Sequence, residues 1–365
     1  MCVFPPRRHG LLAVVLVAFA ALAIAPRAAV AAPNPFAGLV SEDAFAGTPA
    51  YRDAALRRIA AAGAGTVRQT LDWAAVEPTP GVRDWSRYDD YVGAAARYGV
   101  RVLPVVFNAP DWASSRPAAG AVRATYPPAD NDRFAAFAAD AVRRYGPSGS
   151  FWAAHPELPR VPLTGWQVWN EPNLPVYWGG RPDPAAYVAL LRTASAAMKA
   201  ADPATEVITA GMPQSRLGIP LTSYIDAMYA AGGLGSFDAV AINPYAANAA
   251  GVLGFLRQVR RVMNRRGDRS AKLWATEIGW SDGGPTGRFR LGPRGQAKAV
   301  RATIRELWRA RRALRLQGVI YFNWRDAQPY PGGRDFWGLH TGLLGMQGRA
   351  KPALHAFRDA VAALR

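Results

Sequence analysis

Strand-like and helix-like segments alternate along nearly the whole sequence, and this alternation restricts the possible folds more than any other feature. Eight short segments rich in apolar and β-branched residues predict strands, and each is followed by a segment with the period of an amphipathic helix. The predicted strands cover residues 36–41, 66–73, 101–107, 163–169, 206–210, 239–242, 272–276 and 317–323. The predicted helices cover residues 50–62, 84–98, 130–145, 182–201, 224–231, 251–266, 296–313 and 352–364.

Strands separated by helices must run parallel, because a helical crossover returns the chain to the same edge of a sheet. Eight such units close naturally into a barrel, so the sequence predicts an α/β fold of the (β/α)8 TIM-barrel type in a single domain. An open doubly wound sheet is the alternative. The longest loops, 108–129 and 326–350, both follow predicted strands, and such loops lie on the catalytic face of this barrel.

Residues 1–31 have the composition of a secretory signal peptide. Arg7 and Arg8 precede an uncharged apolar run, residues 11–25, which small residues follow. We therefore expect cleavage near Ala31 and a secreted or envelope-associated mature domain, residues 32–365. No later segment reaches the roughly 20 apolar residues of a membrane span, so none is expected after signal removal. An uncleaved anchor is the alternative.

The cysteine content limits the kinds of site that the mature chain can form. The one cysteine, Cys2, lies in the signal segment, so the mature chain is expected to lack disulfides, cysteine nucleophiles and thiolate metal sites.

The formal net charge is +18, and many arginines fall in the predicted helices 251–266 and 296–313. We interpret them as solvated outer faces; electrostatic contact with an acidic envelope polymer is the alternative.

Two glutamates stand at equivalent places in the predicted barrel. Glu171 follows the fourth predicted strand in Trp-Asn-Glu-Pro (169–172), and Glu277 follows the seventh in Thr-Glu-Ile-Gly-Trp (276–280). Because the carboxyl ends of barrel strands share one mouth, we expect both carboxyl groups there. Such a pair suits glycoside hydrolysis, in which one carboxyl protonates the departing oxygen while the other attacks the anomeric carbon or activates water.

The two motifs resemble the acid/base and nucleophile motifs of glycoside hydrolase clan A, the retaining (β/α)8 glycosidases. The resemblance covers essentially the whole mature chain, and segments 168–177 and 320–326 look closest to glycoside hydrolase family 39, with family 5 next. It implies a secreted enzyme that hydrolyses O-glycosidic bonds of a polysaccharide or oligosaccharide. In that enzyme Glu171 is the acid/base, Glu277 is the nucleophile, and no cofactor is needed.

The same resemblance implies roles for four more residues. Asn170 would hydrogen-bond the 2-hydroxyl of the sugar, a contact that strengthens in the transition state. Tyr245 matches the clan tyrosine that donates to the nucleophile, and Arg68 matches the arginine lying under the same carboxylate. Trp324 would be the floor on which the sugar ring rests. Arg68, Tyr245 and Trp324 could instead be ordinary core residues.

Other polar and aromatic residues of the predicted mouth depart from the pattern or extend it. Many clan members carry histidine where this chain has Asn108 and Asn243, and an amide does not titrate as imidazole does. We still expect Asn108 at the substrate site. Trp112, Trp178 and Trp280 are expected to form sugar subsites, with core packing as the alternative.

The same residues allow a second function class and argue against other ligands. A barrel that binds glycan at the cell envelope without cleaving it is the main alternative to the enzyme. Nucleic acid is not expected as a partner, because the predicted aromatic residues accompany the acids and not the arginines. The histidines are scattered without ligand spacing, so no metal is expected. The sequence does not determine the sugar, the linkage, the oligomeric state, or the choice between endo and exo action.

Overall fold

Parallel strands surrounded by helices make up the computed structural model, which describes residue 1, residues 32–329 and residues 331–364. The expected signal peptide and Cys2 lie outside the described residues. In chain order the strands are β1 Asn34–Val40, β2 Ala64–Asp72, β3 Arg101–Phe107, β4 Gly165–Val168, β5 Glu206–Thr209, β6 Met212–Pro213, β7 Ala239–Asn243, β8 Lys272–Ile278 and β9 Leu316–Tyr321.

The strands close into one barrel. β1 pairs with β2 on one side and with β9 on the other, and pairing continues around both sides in parallel register. A pairing of β5 with β7, at Ile208 and Ala239, completes the ring. Eight strands of the described residues form the barrel, which confirms the predicted (β/α)8 fold and excludes an open sheet. The short β6 pairs with β7 at the mouth, where Met212 lies beside Ile242.

Eight of the helices correspond to predicted ones and differ from them by a few residues at the ends. They are α2 Pro49–Ala61, α4 Ser86–Arg97, α5 Asn131–Tyr145, α7 Pro184–Ala201, α8 Leu221–Ala230, α9 Ala249–Arg265, α10 Gly292–Leu314 and α11 Pro352–Ala362. Three short helices were not predicted, namely α1 Glu42–Ala46, α3 Trp73–Val76 and α6 Ser150–Ala154, and two 3-10 turns cover Pro175–Tyr177 and Trp337–His340. Helices of four or five residues are too short to show a period of 3.6.

Local sequence determines where several of the long helices begin. The side chain of Thr48 accepts a hydrogen bond from a backbone N–H in the first turn of α2, and Asp130 does the same for α5. Asp183 caps α7 in this way, and Pro184 follows as the first helical residue. These contacts satisfy N–H groups that have no partner within the helix.

The barrel interior has an apolar part and a polar part. Six strands contribute a cluster of buried apolar side chains, Val40, Leu103, Ile208, Ala239, Ala241, Trp274 and Ile320. Buried polar side chains, among them Arg68, Gln167 and Asn243, come from the strands towards the mouth. Buried polar groups are tolerated only when they are hydrogen-bonded, so we expect the polar part of the interior to form an ordered hydrogen-bond network.

Among the described residues, no helix combines the length and the apolar composition needed to span a bilayer.

Candidate active site

The backbone turns sharply between β4 and Glu171. Trp169 has φ 71° and Glu171 has φ 44°, in the left-handed region that non-glycine residues rarely occupy. The turn is held from outside by the Trp169 indole, whose Nε1 donates to the Tyr177 carbonyl at 2.8 Å, and by the Asn173 amide, which donates to the Pro213 carbonyl at 2.9 Å. A strained backbone persists only where surrounding contacts hold it in place. Here the strained turn places Glu171 over the mouth.

Both oxygens of the Glu277 carboxylate accept hydrogen bonds. Glu277 is the penultimate residue of β8, and its Oε1 accepts from Nη1 of Arg68 at 2.7 Å. Its Oε2 accepts from the hydroxyl of Tyr245 at 2.6 Å. The ion pair is largely buried, with 7% of the Arg68 side chain and 12% of the Glu277 side chain exposed. Charge-assisted contacts in a dry site hold this carboxylate in a single orientation.

Arg68 connects three parts of the mouth. Besides the bond to Glu277, its Nε donates to Oε1 of Gln167 at 2.6 Å and its Nη2 donates to Oδ1 of Asn170 at 3.0 Å. The Gln167 amide in turn donates to the Thr209 carbonyl at 3.0 Å. Because Asn170 directly precedes Glu171 in the chain, the guanidinium ties the acid-bearing turn to the carboxylate of β8.

The Glu171 carboxyl has different surroundings. Burial raises its pKa to about 8, and the negative charge of Glu277 acts in the same direction. Its Oε1 accepts a hydrogen bond from Nδ2 of Asn243 at 2.6 Å, while the Thr276 hydroxyl donates to Oδ1 of Asn243 at 2.8 Å and fixes which way that amide points. Burial and the charge of Glu277 both favour the protonated form of the Glu171 carboxyl group at neutral pH.

Tyr245 is a permanent hydrogen-bond donor at this site. Burial raises its pKa well above 10, and the neighbouring charge of Glu277 adds to the effect. Its ring lies edge-on to Trp337, with ring centroids 5.0 Å apart, and Trp337 in turn contacts Phe289 at 4.4 Å. These aromatic contacts keep the hydroxyl aimed at Glu277.

The structure thus brings together five of the residues that the sequence assigned to the site: Glu171, Glu277, Arg68, Asn170 and Tyr245. It adds Gln167, Asn243 and Thr276, which hold them in place. Gln167 and Thr276 are polar residues inside apolar strands, and that was the signal in the sequence that could have identified them.

Asn108 directly follows β3, and its side chain hydrogen-bonds to the last residue of β2. Its backbone is left-handed, with φ 66°, and its Nδ2 donates to Oδ1 of Asp72 at 2.9 Å. Asp72 lines the cleft described below. The structure therefore gives Asn108 a contact with a cleft residue, and a direct contact with substrate stays a prediction.

Trp324 is not the floor of the site, which corrects that expectation. The indole is 1% exposed and packs in the main core, and the Arg58 guanidinium of α2 lies 5.7 Å from its ring. Phe322, two residues earlier, lines the cleft instead. Burying an indole between the barrel and a helix removes more apolar surface from water than an open cleft allows, and this favours the outward position of Trp324.

The other three predicted tryptophans are also packed into the protein. Trp280 is fully buried and donates from Nε1 to the Ala246 carbonyl at 2.8 Å. Trp178 is 5% exposed and lies edge-on to Trp169. Trp112 is half-buried, and its Nε1 donates to the Glu77 carbonyl at 3.1 Å. The expectation that Trp178 and Trp280 form sugar subsites is wrong in this structure, because their rings are closed to a ligand. Trp112 lies outside the cleft wall described below.

A cleft of about 830 Å³ opens on the mouth of the barrel. Its wall comes from four barrel strands, β1, β2, β3 and β8, and from residues of the loops and short helices at the same end of the barrel, including those just beyond β4 and β9. Lining residues include Glu277, Arg68, Asn170, Phe107, Tyr177 and Phe322 near the carboxyl pair, and Glu42, Asp72, Asp84 and Arg87 farther out. Within the described ranges, no group of three or more His, Cys, Asp or Glu side chains is placed to hold a metal ion.

Solved structures with a similar fold include glycoside hydrolases. A family 39 glycoside hydrolase from Bacteroides cellulosilyticus WH2 matches with a TM-score of 0.67 and 22% identity, over 90% of this chain and 64% of that chain. A monomeric beta-xylosidase from Caulobacter crescentus CB15 matches with a TM-score of 0.66 and 19% identity, over 90% and 69%. A GH5_18 protein from Streptomyces cattleya in complex with GlcNAc matches with a TM-score of 0.65 and 17% identity, over 92% and 81%.

These likenesses establish the fold, and they agree with the resemblance to families 39 and 5 seen in the sequence. The chain spans less than two thirds of the length of the Bacteroides protein. No protein-family model matches the sequence. No curated protein matches it either.

Proposed function

We propose that this protein is a retaining glycoside hydrolase in which Glu277 is the nucleophile and Glu171 is the acid/base. The observation that carries the proposal is the contrast between the two carboxyl groups. Glu277 accepts from a guanidinium and a tyrosine hydroxyl, whereas burial raises the pKa of Glu171 to about 8. Double displacement requires one carboxyl group that can give a proton and a second that is held in place to attack, and the two environments suit these roles.

In the first step the Glu277 carboxylate attacks the anomeric carbon while Glu171 gives its proton to the departing oxygen. The glycosidic C–O bond breaks and an ester bond to Glu277 forms. Esterification removes the negative charge of Glu277, which is one of the two factors that raise the pKa of Glu171. Glu171 can then stay ionised and take a proton from water as that water attacks the anomeric carbon. We expect a separation of about 5–5.5 Å between the carboxyl groups in this mechanism.

The site and the similar folds support a proposal for the substrate class. Asn170, held by Arg68 at 3.0 Å, is placed to contact the 2-hydroxyl of the sugar under attack. The similar structures include a beta-xylosidase and a GH5_18 variant, E153A, in complex with Manb1-4GlcNAc. We therefore propose an O-linked β-glycoside as the substrate and a place near families 39 and 5 of clan A.

The proposal extends to location. We propose that the enzyme is exported, on the strength of the charged and apolar pattern of residues 1–31. Exposed arginines of α9 and α10, among them Arg257, Arg261, Arg305 and Arg309, support electrostatic contact with an acidic envelope polymer. Retention of the protein on such a polymer should fall steeply as salt is raised.

Azide rescue separates the hydrolase from a barrel that binds glycan without cleaving it. Glu277→Ala should lose hydrolysis of an activated aryl β-glycoside, and added azide should restore release of the aryl group. Azide occupies the space that the Glu277 side chain vacates, so the product should be a glycosyl azide of inverted configuration. Glu157→Ala is the matched control, because Glu157 is an exposed glutamate far from the mouth, with 63% of its side chain exposed.

Failure of the parent protein to turn over any aryl glycoside or polysaccharide would favour the binding barrel. Full activity of Glu277→Ala without azide would show that Glu277 is not the nucleophile. Both results are read from the same assay.

A further inference from the structure

The cleft is larger than one sugar requires. Its volume is about 830 Å³, and it runs from Glu277 and Asn170 to Asp84 and Arg87 at the start of α4. Pockets of about 300–1,000 Å³ enclose ligands of drug size, and a trisaccharide belongs to that size class. The space beyond the carboxyl pair is therefore available to further sugar residues.

The position of the two carboxyl groups shows which side of the scissile bond the cleft serves. Among the described residues, the cleft wall includes Glu277, Arg68 and Asn170 but not Glu171. In the proposed mechanism Glu277 and Asn170 face the sugar whose anomeric carbon is attacked, whereas Glu171 faces the oxygen of the leaving group. The cleft therefore continues from the glycone side, the part of the substrate that becomes attached to Glu277.

Polar groups along this extension are held in fixed orientations. Glu42, at the start of α1, accepts from the Gln69 amide at 2.6 Å and from the Thr70 hydroxyl at 3.0 Å. Arg87 lies over the Phe45 ring at 5.1 Å and donates to the Ala46 carbonyl at 3.2 Å. Oriented acceptors and donors beside an aromatic ring can hydrogen-bond sugar hydroxyls while the ring packs against C–H groups.

The charge of the extension selects among glycans. Three carboxyl groups, those of Glu42, Asp72 and Asp84, face the cleft, and Arg87 is the cation at its outer end. A uronic acid or sulfated sugar would meet net repulsion there, although the whole chain carries a formal charge of +18. Neutral sugars meet no such penalty.

We propose that this extension binds at least two further sugar residues on the glycone side, so that the enzyme cleaves within a linear neutral glycan. The inference rests on the proposed glycosidase function and adds endo action and substrate charge to it. Binding energy from these remote sugars acts on the reaction because it positions the anomeric carbon against Glu277.

The first test measures how the rate depends on glycone length. The purified protein is assayed with aryl β-glycosides that carry one, two or three sugars, in xylose, glucose and mannose series. For the series it accepts, kcat/KM should rise from one sugar to three by roughly tenfold or more, since each hydrogen bond to a charged group contributes a factor of about that size. Equal rates on one and three sugars would overturn the inference and leave the glycosidase standing.

The second test locates the subsite. Arg87→Ala and Asp84→Ala should lower kcat/KM for the trisaccharide roughly tenfold and leave the monosaccharide rate unchanged. Arg97→Ala is the matched control, because it removes the same charge from the other end of α4, where Arg97 is also exposed. Equal trisaccharide rates for all three variants would overturn the location. Absence of hydrolysis in every series and on polysaccharides would instead remove the proposed function.

Discussion

Replacing Asn243 with alanine should move the pH dependence of the reaction. The substitution removes the donor that lies 2.6 Å from Oε1 of Glu171. A hydrogen bond to a charged acceptor contributes about 1.5–3 kcal/mol, and one pKa unit corresponds to about 1.4 kcal/mol. Because this donor favours the ionised form, its loss should raise the pKa of Glu171 above its present value of about 8 by roughly one to two units.

The two steps of the reaction respond in opposite directions. The first step needs protonated Glu171, so the basic limb of the kcat/KM profile should shift to higher pH by the same one to two units, roughly. The second step needs ionised Glu171, so hydrolysis of the glycosyl-enzyme should slow at neutral pH. Stopped-flow measurement with an activated aryl glycoside should then show a burst of aryl alcohol that the parent lacks.

A second variant controls for the cavity that alanine leaves. Thr276→Val removes the hydroxyl that donates to Oδ1 of Asn243 at 2.8 Å and keeps the amide itself. It should move the basic limb in the same direction by less. The assignment of Asn243 as a positioning residue for Glu171 would be refuted if Asn243→Ala left the limb in place or moved it to lower pH.

Three further predictions concern the same network and the loops around it. Tyr245→Phe removes the hydroxyl 2.6 Å from Oε2 of Glu277, and kcat/KM should fall roughly 10- to 100-fold while the fold, checked by circular dichroism, is unchanged. Glu171→Gln should raise the Tm at pH 8, because the pKa of Glu171 is raised from 4.5 in the unfolded chain to about 8 in the folded one, and the parent therefore loses stability as pH rises through that interval. The gain in Tm should vanish below about pH 4.5. An equal Tm of parent and variant at pH 8 would contradict this prediction. Lys351→Met removes the buried cation shared by two aspartates, at 2.7 and 2.6 Å, and should lower the free energy of unfolding in urea by about 3 kcal/mol; a loss under about 1 kcal/mol would show that the pair is not structural.

The alternation of strands and helices was sufficient to predict the barrel. Each of its eight strands overlaps a predicted one, and β3 has the predicted bounds, residues 101–107. The hydrophobic pattern of the sequence predicts these elements because every barrel strand is buried on both faces and every long helix has one apolar side. The two-residue β6 and the short α1, α3 and α6 carry no period, so only tertiary contacts define them.

The site could be predicted in part for a related reason. Strand ends converge, so the placement of Glu171 and Glu277 in one mouth follows from their position in the strand pattern. The expectation for Arg68, which lies in the middle of β2, and for Tyr245 came from the resemblance to clan A motifs. The orientation of an indole does not follow in this way. Trp324 lies just beyond β9, where side chains no longer alternate between two faces, and its packing under Arg58 depends on α2, which is distant in sequence.

Trapping the covalent intermediate tests the central claim most directly. An aryl glycoside with fluorine next to the anomeric carbon slows both steps, because the electron-withdrawing atom destabilises the oxocarbenium-like transition state, and a good leaving group lets the glycosyl-enzyme accumulate. Mass spectrometry of the digested protein should find one fluoroglycosyl group, on the peptide that contains Glu277. A label on any other residue, or no label on a protein that hydrolyses the parent glycoside, would contradict the account.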